Sequence, residues 1–275
     1  MQKTSSFRRF VVLPAVLVLA AACVSTPPPS PVPCCDAPWG YEAPEHWADL
    51  SPCYAECRNG GEQSPIDIVN PQRAELPAVD FSGYGTVPDL VARHDGHTIR
   101  IDVPKPKADS DPPVAWLKLG GVTYRLDQFH FHTPSEHRVR GNDRPIEIHF
   151  VNISPGGRVV AVGVFIKDGP SNPELAKIWK DLPPKGESRP VGTLDLGHLL
   201  PPRSERTSYR YSGSLTNPPC GQGYQWIVYS QPLTLAAEEI GKLQAIFSGK
   251  EFPEGNRRRP QPLNGRIVLT DVPRL

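Results

Sequence analysis

An excess of charge of either sign is missing from this chain. Its 30 lysines and arginines face 29 aspartates and glutamates, a net of +1, and the two signs are interspersed. That balance excludes nucleic acid and an anionic membrane surface as electrostatic partners. Long hydrophobic runs are also missing. The run from Phe10 to Ala22, broken at Pro14, is too short to read as a membrane span. No internal repeat and no second domain are visible in the 275 residues. Helical signals are few: Pro173–Asp181, and Thr234–Phe247 with apolar Leu235, Ile240, Leu243 and Ile246.

Proline, by contrast, is plentiful, with 34 residues that often punctuate short strand-like runs. Those runs are 98–103, 114–119, 123–132, 146–153, 159–166, 225–230 and 267–269. The pattern predicts a mainly β fold of the α+β kind: a mostly antiparallel sheet with short surface helices. The densest basic run, Arg257-Arg258-Arg259, reads as a surface turn.

The first 22 residues read as a targeting segment and stay outside the fold. Lys3, Arg8 and Arg9 precede the apolar run, and Leu19-Ala20-Ala21-Ala22-Cys23 resembles a bacterial lipoprotein signal with Cys23 lipidated. An ordinary secretory signal cut at Ala-x-Ala is the alternative. Removing the segment leaves 27 bases against 29 acids, about −2. Residues 23–38 then form a Pro-rich tether of polyproline character. The expected address is the bacterial periplasm, lipid-anchored to a membrane, or else soluble in the periplasm or secreted. Cysteine usage fits export. Besides Cys23 there are Cys34, Cys35, Cys53, Cys57 and Cys220. Cys53 has Cys34 or Cys35 as candidate partners, and one thiol is left over, free or available for an intermolecular bond.

Three histidines carry the chemistry. His130 and His132 stand two apart in a strand pattern, so they share a face while Phe129 and Phe131 take the other. If the strand holding His149 pairs with theirs, a His₃ set forms. Three neutral imidazoles with one open position is the arrangement of a catalytic zinc site. Gln128 stands beside His130, and Glu147 beside His149, as candidate partners for the second ring nitrogens.

These residues sit inside a wider resemblance. Gln128-Phe129-His130-Phe131-His132, Ser135-Glu136-His137 and Glu147-Ile148-His149 resemble the α-class carbonic anhydrases. So do the block from Gln63 to Ile68, the block from Tyr211 to Cys220, and Gln261-Pro262-Leu263-Asn264, all in the family's order. The resemblance implies a catalytic domain over residues 39–275, built on a large twisted central sheet with zinc at the bottom of a cleft. It implies reversible hydration of carbon dioxide to bicarbonate and a proton, by attack of zinc-bound hydroxide. Thr216 and Glu136 match the pair that orients the hydroxide. Val151, Ala161, Leu215, Tyr224 and Trp226 match the wall of the substrate pocket, and Asn217 the substrate side. His97 matches the proton shuttle, and Tyr41 a residue that orders water. Cys57 and Cys220 match a disulfide of exported members.

Departures from the family pattern are Ala161 and Tyr224, both commonly valine, Asn217 for a second threonine, and Arg100 near the shuttle. His46, His94 and His198 have no assigned role, and His137 reads as structural. The competing reading is a catalytically weak zinc-binding or adhesion lipoprotein on the same fold. Oligomeric state is left open.

Overall fold

The computed structural model describes residues 37–107 and 111–273. The signal, Cys23, most of the tether, Cys34 and Cys35 lie outside those residues. In chain order the strands are β1 (Asp67–Ile68), β2 (Gln72–Arg73), β3 (Thr86–His94), β4 (Ile99–Asp102), β5 (Trp116–Leu119), β6 (Val122–His132) and β7 (Arg138–Val139). They continue with β8 (Ile146–Ile153), β9 (Val159–Asp168), β10 (Ser188–Asp195), β11 (Ser208–Ser214), β12 (Gln222–Leu235) and β13 (Leu269–Thr270). The α-helices are short: α1 (Trp47–Leu50), α2 (Glu56–Asn59), α3 (Pro173–Trp179) and α4 (Ala237–Ile246).

Eleven strands form one sheet in the order β10-β3-β4-β6-β8-β9-β12-β11-β13-β2, with β5 added to β6. Most pairings are antiparallel; β9 with β12 and β13 with β2 are parallel. The expected sheet is therefore present, mixed at those two seams. The central strands are buried on both faces, which is why β9 reads as an almost unbroken apolar run from Val159 to Ile166. On one face Phe129, Phe131, Ile148, Phe150, Val162 and Ile227 belong to the main core. On the other, Ala161, Phe165, Tyr209, Tyr211, Trp226 and Val228 join Ile66, Ile68 and Val268 in a smaller core beside the histidines.

The helix over Pro173–Trp179 starts where the Asn172 side chain accepts from the backbone N–H groups of Glu174 and Leu175, with proline in the first turn. Expected strands match β4, β5, β6, β8, β9 and part of β12 to within a few residues. Strand β12 runs on to Leu235 by absorbing Pro232 in a register shift between Tyr229 and Leu233. Strands β3, β10 and β11 were not anticipated. β3 contains Pro88 and a left-handed Asp89 (φ 55°), β10 has register shifts around Gly192, and β11 is rich in serine. All three weaken a propensity signal and are held by neighbouring strands instead.

Candidate active site

Antiparallel pairing of β6 with β8 sets His130 opposite His149 and His132 opposite Glu147. The three imidazoles therefore meet on one face. His130, His132 and His149 each offer a ring nitrogen, and these nitrogens all lie within 4.8 Å of one another. The second nitrogens are occupied. His130 Nδ1 lies 2.8 Å from Gln128 Oε1, and His132 Nδ1 lies 2.7 Å from the carbonyl oxygen of Asn256. His149 Nε2 lies 3.0 Å from Glu147 Oε1, an ion-pair contact without hydrogen-bond alignment. Each ring is thus aimed by a neighbour, which leaves His130 Nε2, His132 Nε2 and His149 Nδ1 toward the centre.

Glu147 organises the site's floor. Its Oε2 accepts from the backbone N–H of Glu136 (3.0 Å) and of His137 (2.9 Å), and its Oε1 lies 2.7 Å from His137 Nδ1. Burial pushes this carboxyl up, but His137 and His149 outweigh it and hold it well below the usual carboxylate range. Gly163, opposite His149 on β9, makes room for it: a Cβ there would stand 2.8 Å from Glu147 Oε1. Beyond His137, its Nε2 is 2.6 Å from the Tyr211 hydroxyl, which is 2.9 Å from Ser64 Oγ. With both nitrogens engaged, His137 is structural, as expected.

Two of the three rings at the centre are held toward the neutral form a metal requires. Burial, then His132 and His149, hold His130 well below the ordinary imidazole value, and burial lowers His132 despite Glu136. Burial also opposes charge on His149, but Glu147 and Glu136 outweigh it and raise that ring. Three buried atoms here have no hydrogen-bond partner: His132 Nε2, Glu136 Oε2 and His149 Nε2, the last in ion-pair contact with Glu147. Such orphans are rare in folded proteins. An unpaired imidazole nitrogen facing two others is a fit for a divalent metal, and the all-imidazole donor set suits zinc.

Glu136 is fully buried and its Oε1 accepts from the backbone N–H of Arg258 at 2.8 Å. Its Oε2 stands 3.5 Å from His132 Nε2 and 3.8 Å from His149 Nδ1. Thr216 is also buried, just past β11, and makes no hydrogen bond to that oxygen. Ala161 lies between Val151 on β8 and Trp226 on β12, so these three form one row of the site face. Tyr224 faces the same way two residues from Trp226 and packs on the smaller core, while Leu215 and Asn217 are partly buried in the following turn. His97 caps the β3–β4 turn. It stacks on Trp39 with ring centroids 3.8 Å apart and meets Tyr41 edge-on at 6.5 Å. Tyr41 is buried against Trp39, Trp47 and Phe252. Cys57 and Cys220 are bonded, and Cys53 is disulfide-bonded as well.

Two residues escaped the sequence reading. Asn256 is fully buried: its carbonyl fixes His132, its Oδ1 accepts from Thr133 N–H, and its Nδ2 donates to the carbonyls of His97 and Phe131. No pattern marks a residue that acts through its backbone oxygen. Arg258 corrects the surface-turn expectation. It is 2% exposed and donates to Gln63 Oε1, Ser64 O and Cys57 O. It ties together blocks that are nearly two hundred residues apart. Only a basic neighbourhood was visible in sequence, and Arg257 and Arg259 on either side pair with surface acids as expected.

A mixed sheet with a three-imidazole cluster on one face is a scaffold able to hold a metal ion. The family model for eukaryotic-type carbonic anhydrases matches residues 42–272. A carbonic anhydrase of Pectobacterium carotovorum is 35% identical over 236 residues, covering 84% of this chain and 90% of that protein. One of Klebsiella pneumoniae is 36% identical over the same length. Among solved structures, the α-carbonic anhydrase of Thermovibrio ammonificans in complex with the inhibitor sulfanilamide superposes with a TM-score of 0.75 at 39% identity. That match covers 85% of this chain and 99% of that one. The chain belongs to the α-carbonic anhydrase family.

Proposed function

We propose that His130, His132 and His149 hold a zinc ion and that the chain hydrates carbon dioxide reversibly at that centre. The observation that carries this is the convergence of three imidazoles, each with a separate neighbour at its outer nitrogen, with the buried His132 Nε2 at the centre lacking any hydrogen-bond partner. Zinc held there supplies Lewis acidity that lowers the pKa of water from 15.7 to about 7. The chain's own groups do the rest. Glu136 Oε2, a buried oxygen that no group donates to in this structure, would accept from the Thr216 hydroxyl, and that pair would fix the direction from which the attacking oxygen meets carbon. Val151, Ala161, Leu215, Tyr224 and Trp226 give an apolar molecule a dry wall, and Asn217 offers a hydrogen bond at its edge. His97 passes the released proton to buffer, with Tyr41 ordering the water between.

Export follows from the same reading: residues 1–22 as signal, Cys23 as the lipidated residue, 23–38 as tether and 39–275 as the periplasmic catalytic domain. The Cys57–Cys220 bond supports an oxidising compartment. The test is stopped-flow hydration of carbon dioxide by the purified chain, with zinc measured in parallel. We expect one zinc per chain, activity lost to a chelator and restored by zinc, and both lost in His132→Ala. Stoichiometric zinc without hydration would overturn the assignment in favour of a binding or adhesion protein.

A further inference from the structure

A second cavity, of about 440 Å³, opens where the segment around Pro77 to Phe81 crosses β11 and β12. Arg203, Arg206, Arg210 and Tyr229 line it. It lies on the sheet face opposite the histidines. Arg210 alternates with Tyr209 and Tyr211, and Tyr229 follows Val228, all of which belong to the core beside the histidines.

Positive charge is in excess in this cavity, three arginines against Asp80 and Asp271. Among the described residues none of the three arginines has a carboxylate within 4.0 Å. Arg210 is only 7% exposed, and its guanidinium donates to neutral oxygens alone, Ser208 Oγ at 3.1 Å and the Pro77 carbonyl at 2.7 Å. Arg206 donates from Nε to the Pro201 carbonyl and lies over the Phe81 ring at 5.3 Å. A buried cation with no carboxylate in direct contact is costly, and an anion held against it would offset that cost. Two acids line the cavity and act on Arg203 and Arg210 through space, without direct contact, and one oxygen of each is taken by backbone. Asp80 Oδ1 accepts from Ser82 N–H at 2.8 Å and Asp271 Oδ1 from Ser208 N–H at 2.6 Å. Tyr229 is 2% exposed and its hydroxyl has no hydrogen bond among the described residues. Burial pushes its pKa up to about 12, so it stays a neutral donor.

We infer that this cavity binds an oxyanion of the phosphate class, held by Arg203, Arg206 and Arg210 with the Tyr229 hydroxyl as a further donor. Planar guanidinium forks match two oxygens of such a group at once. Three of them, spaced along the turn from 203 to 206 and the start of β11, suit a tetrahedral dianion better than a carboxylate or bicarbonate, which presents oxygens in one plane. The volume exceeds that of a bare phosphate, so a phosphomonoester fits as well as the free ion.

Titration calorimetry of the full chain tests this with inorganic phosphate, glycerol 3-phosphate and sodium bicarbonate as probes. We expect saturable binding of one phosphate per chain, weakened about tenfold or more in Arg206→Gln and in the more exposed Arg203→Gln. Carbon dioxide hydration should be unchanged in both variants. Phosphate binding should also persist in His132→Ala, which separates this cavity from the histidine centre. Tighter binding of glycerol 3-phosphate than of phosphate marks a monoester site, and equal binding a site for the free ion. Equal phosphate affinity in wild type and both arginine variants, loss of binding in His132→Ala alone, or bicarbonate binding as tightly as phosphate would each overturn the inference.

Discussion

The two faces of β6 make the sharpest contrast in the molecule. Phe129 and Phe131 point one way and are fully buried against Phe150, Ile148 and Trp179. One residue along in each case, Gln128, His130 and His132 point the other way. The apolar face needs only volume and shape. The polar face needs a neighbour to aim each ring, and it draws its polar groups from four separate places: Gln128 on the same strand, Glu147 and His149 on the next, Asn256 from a distant loop, and Glu136 from the turn between. Core packing there is a scaffold, and the hydrogen-bonded shell is what turns it into a site.

That division predicts which substitutions uncouple folding from chemistry. The largest effect belongs to the apolar face. Phe150 is fully buried, with Phe129 stacked at 5.3 Å and Tyr84 at 5.9 Å. Phe150→Ala should cost about 3–5 kcal/mol of stability, more than a hundredfold in the folding equilibrium. Denaturant unfolding checks this. At low temperature the folded variant should still hold one zinc. If it binds none while remaining folded, the two faces are not separable and the contrast fails.

Next comes the polar face. Glu147→Gln keeps the shape and removes the charge that faces His137 and His149. The folded carboxyl is held well below its ordinary value, so its stabilising contribution is present above the unfolded pKa and fades as pH falls through the folded one. At neutral pH the charge is fully in place. Its loss should weaken zinc affinity by about 10- to 100-fold, read by competition with a chelator. Unchanged affinity would mean that the ligand set alone, without its supporting shell, accounts for the site.

The same contrast explains how much could be read in advance. The period of two around His130 and His132, and the side chains of Gln128 and Glu147 beside their ligands, are visible because they obey strand geometry. The Gln63, Thr216 and Gln261 blocks were visible as a resemblance, and the structure shows why they travel together. Gln63 Nε2 donates to Cys220 O, Ser64 N–H to Ser214 Oγ, and Gln261 N–H to Pro65 O. Asn256 and Arg258 stayed hidden, since one acts through a carbonyl and the other stands between two arginines that pair with surface acids. Strands such as β10 stayed hidden because long-range pairing, not propensity, makes them strands.

The smallest effect concerns Tyr224, the departure in the pocket wall. Its backbone pairs with Val159, and Ala161 lies two residues further along that strand on the same face, opposite Trp226. The ring is partly buried against the cluster that contains Ala161 and Trp226. A small residue at 161 therefore gives a large one at 224 a surface to lean on. On that arrangement the tyrosine is part of the wall and does not project across the pocket. Tyr224→Val should then leave kcat/KM for carbon dioxide within about threefold of wild type, while the burial it loses costs roughly 1 kcal/mol of stability. A rise in kcat/KM well beyond threefold would show the opposite: that the ring obstructs the substrate, and that this face of the sheet is still limited by packing where it should be governed by chemistry.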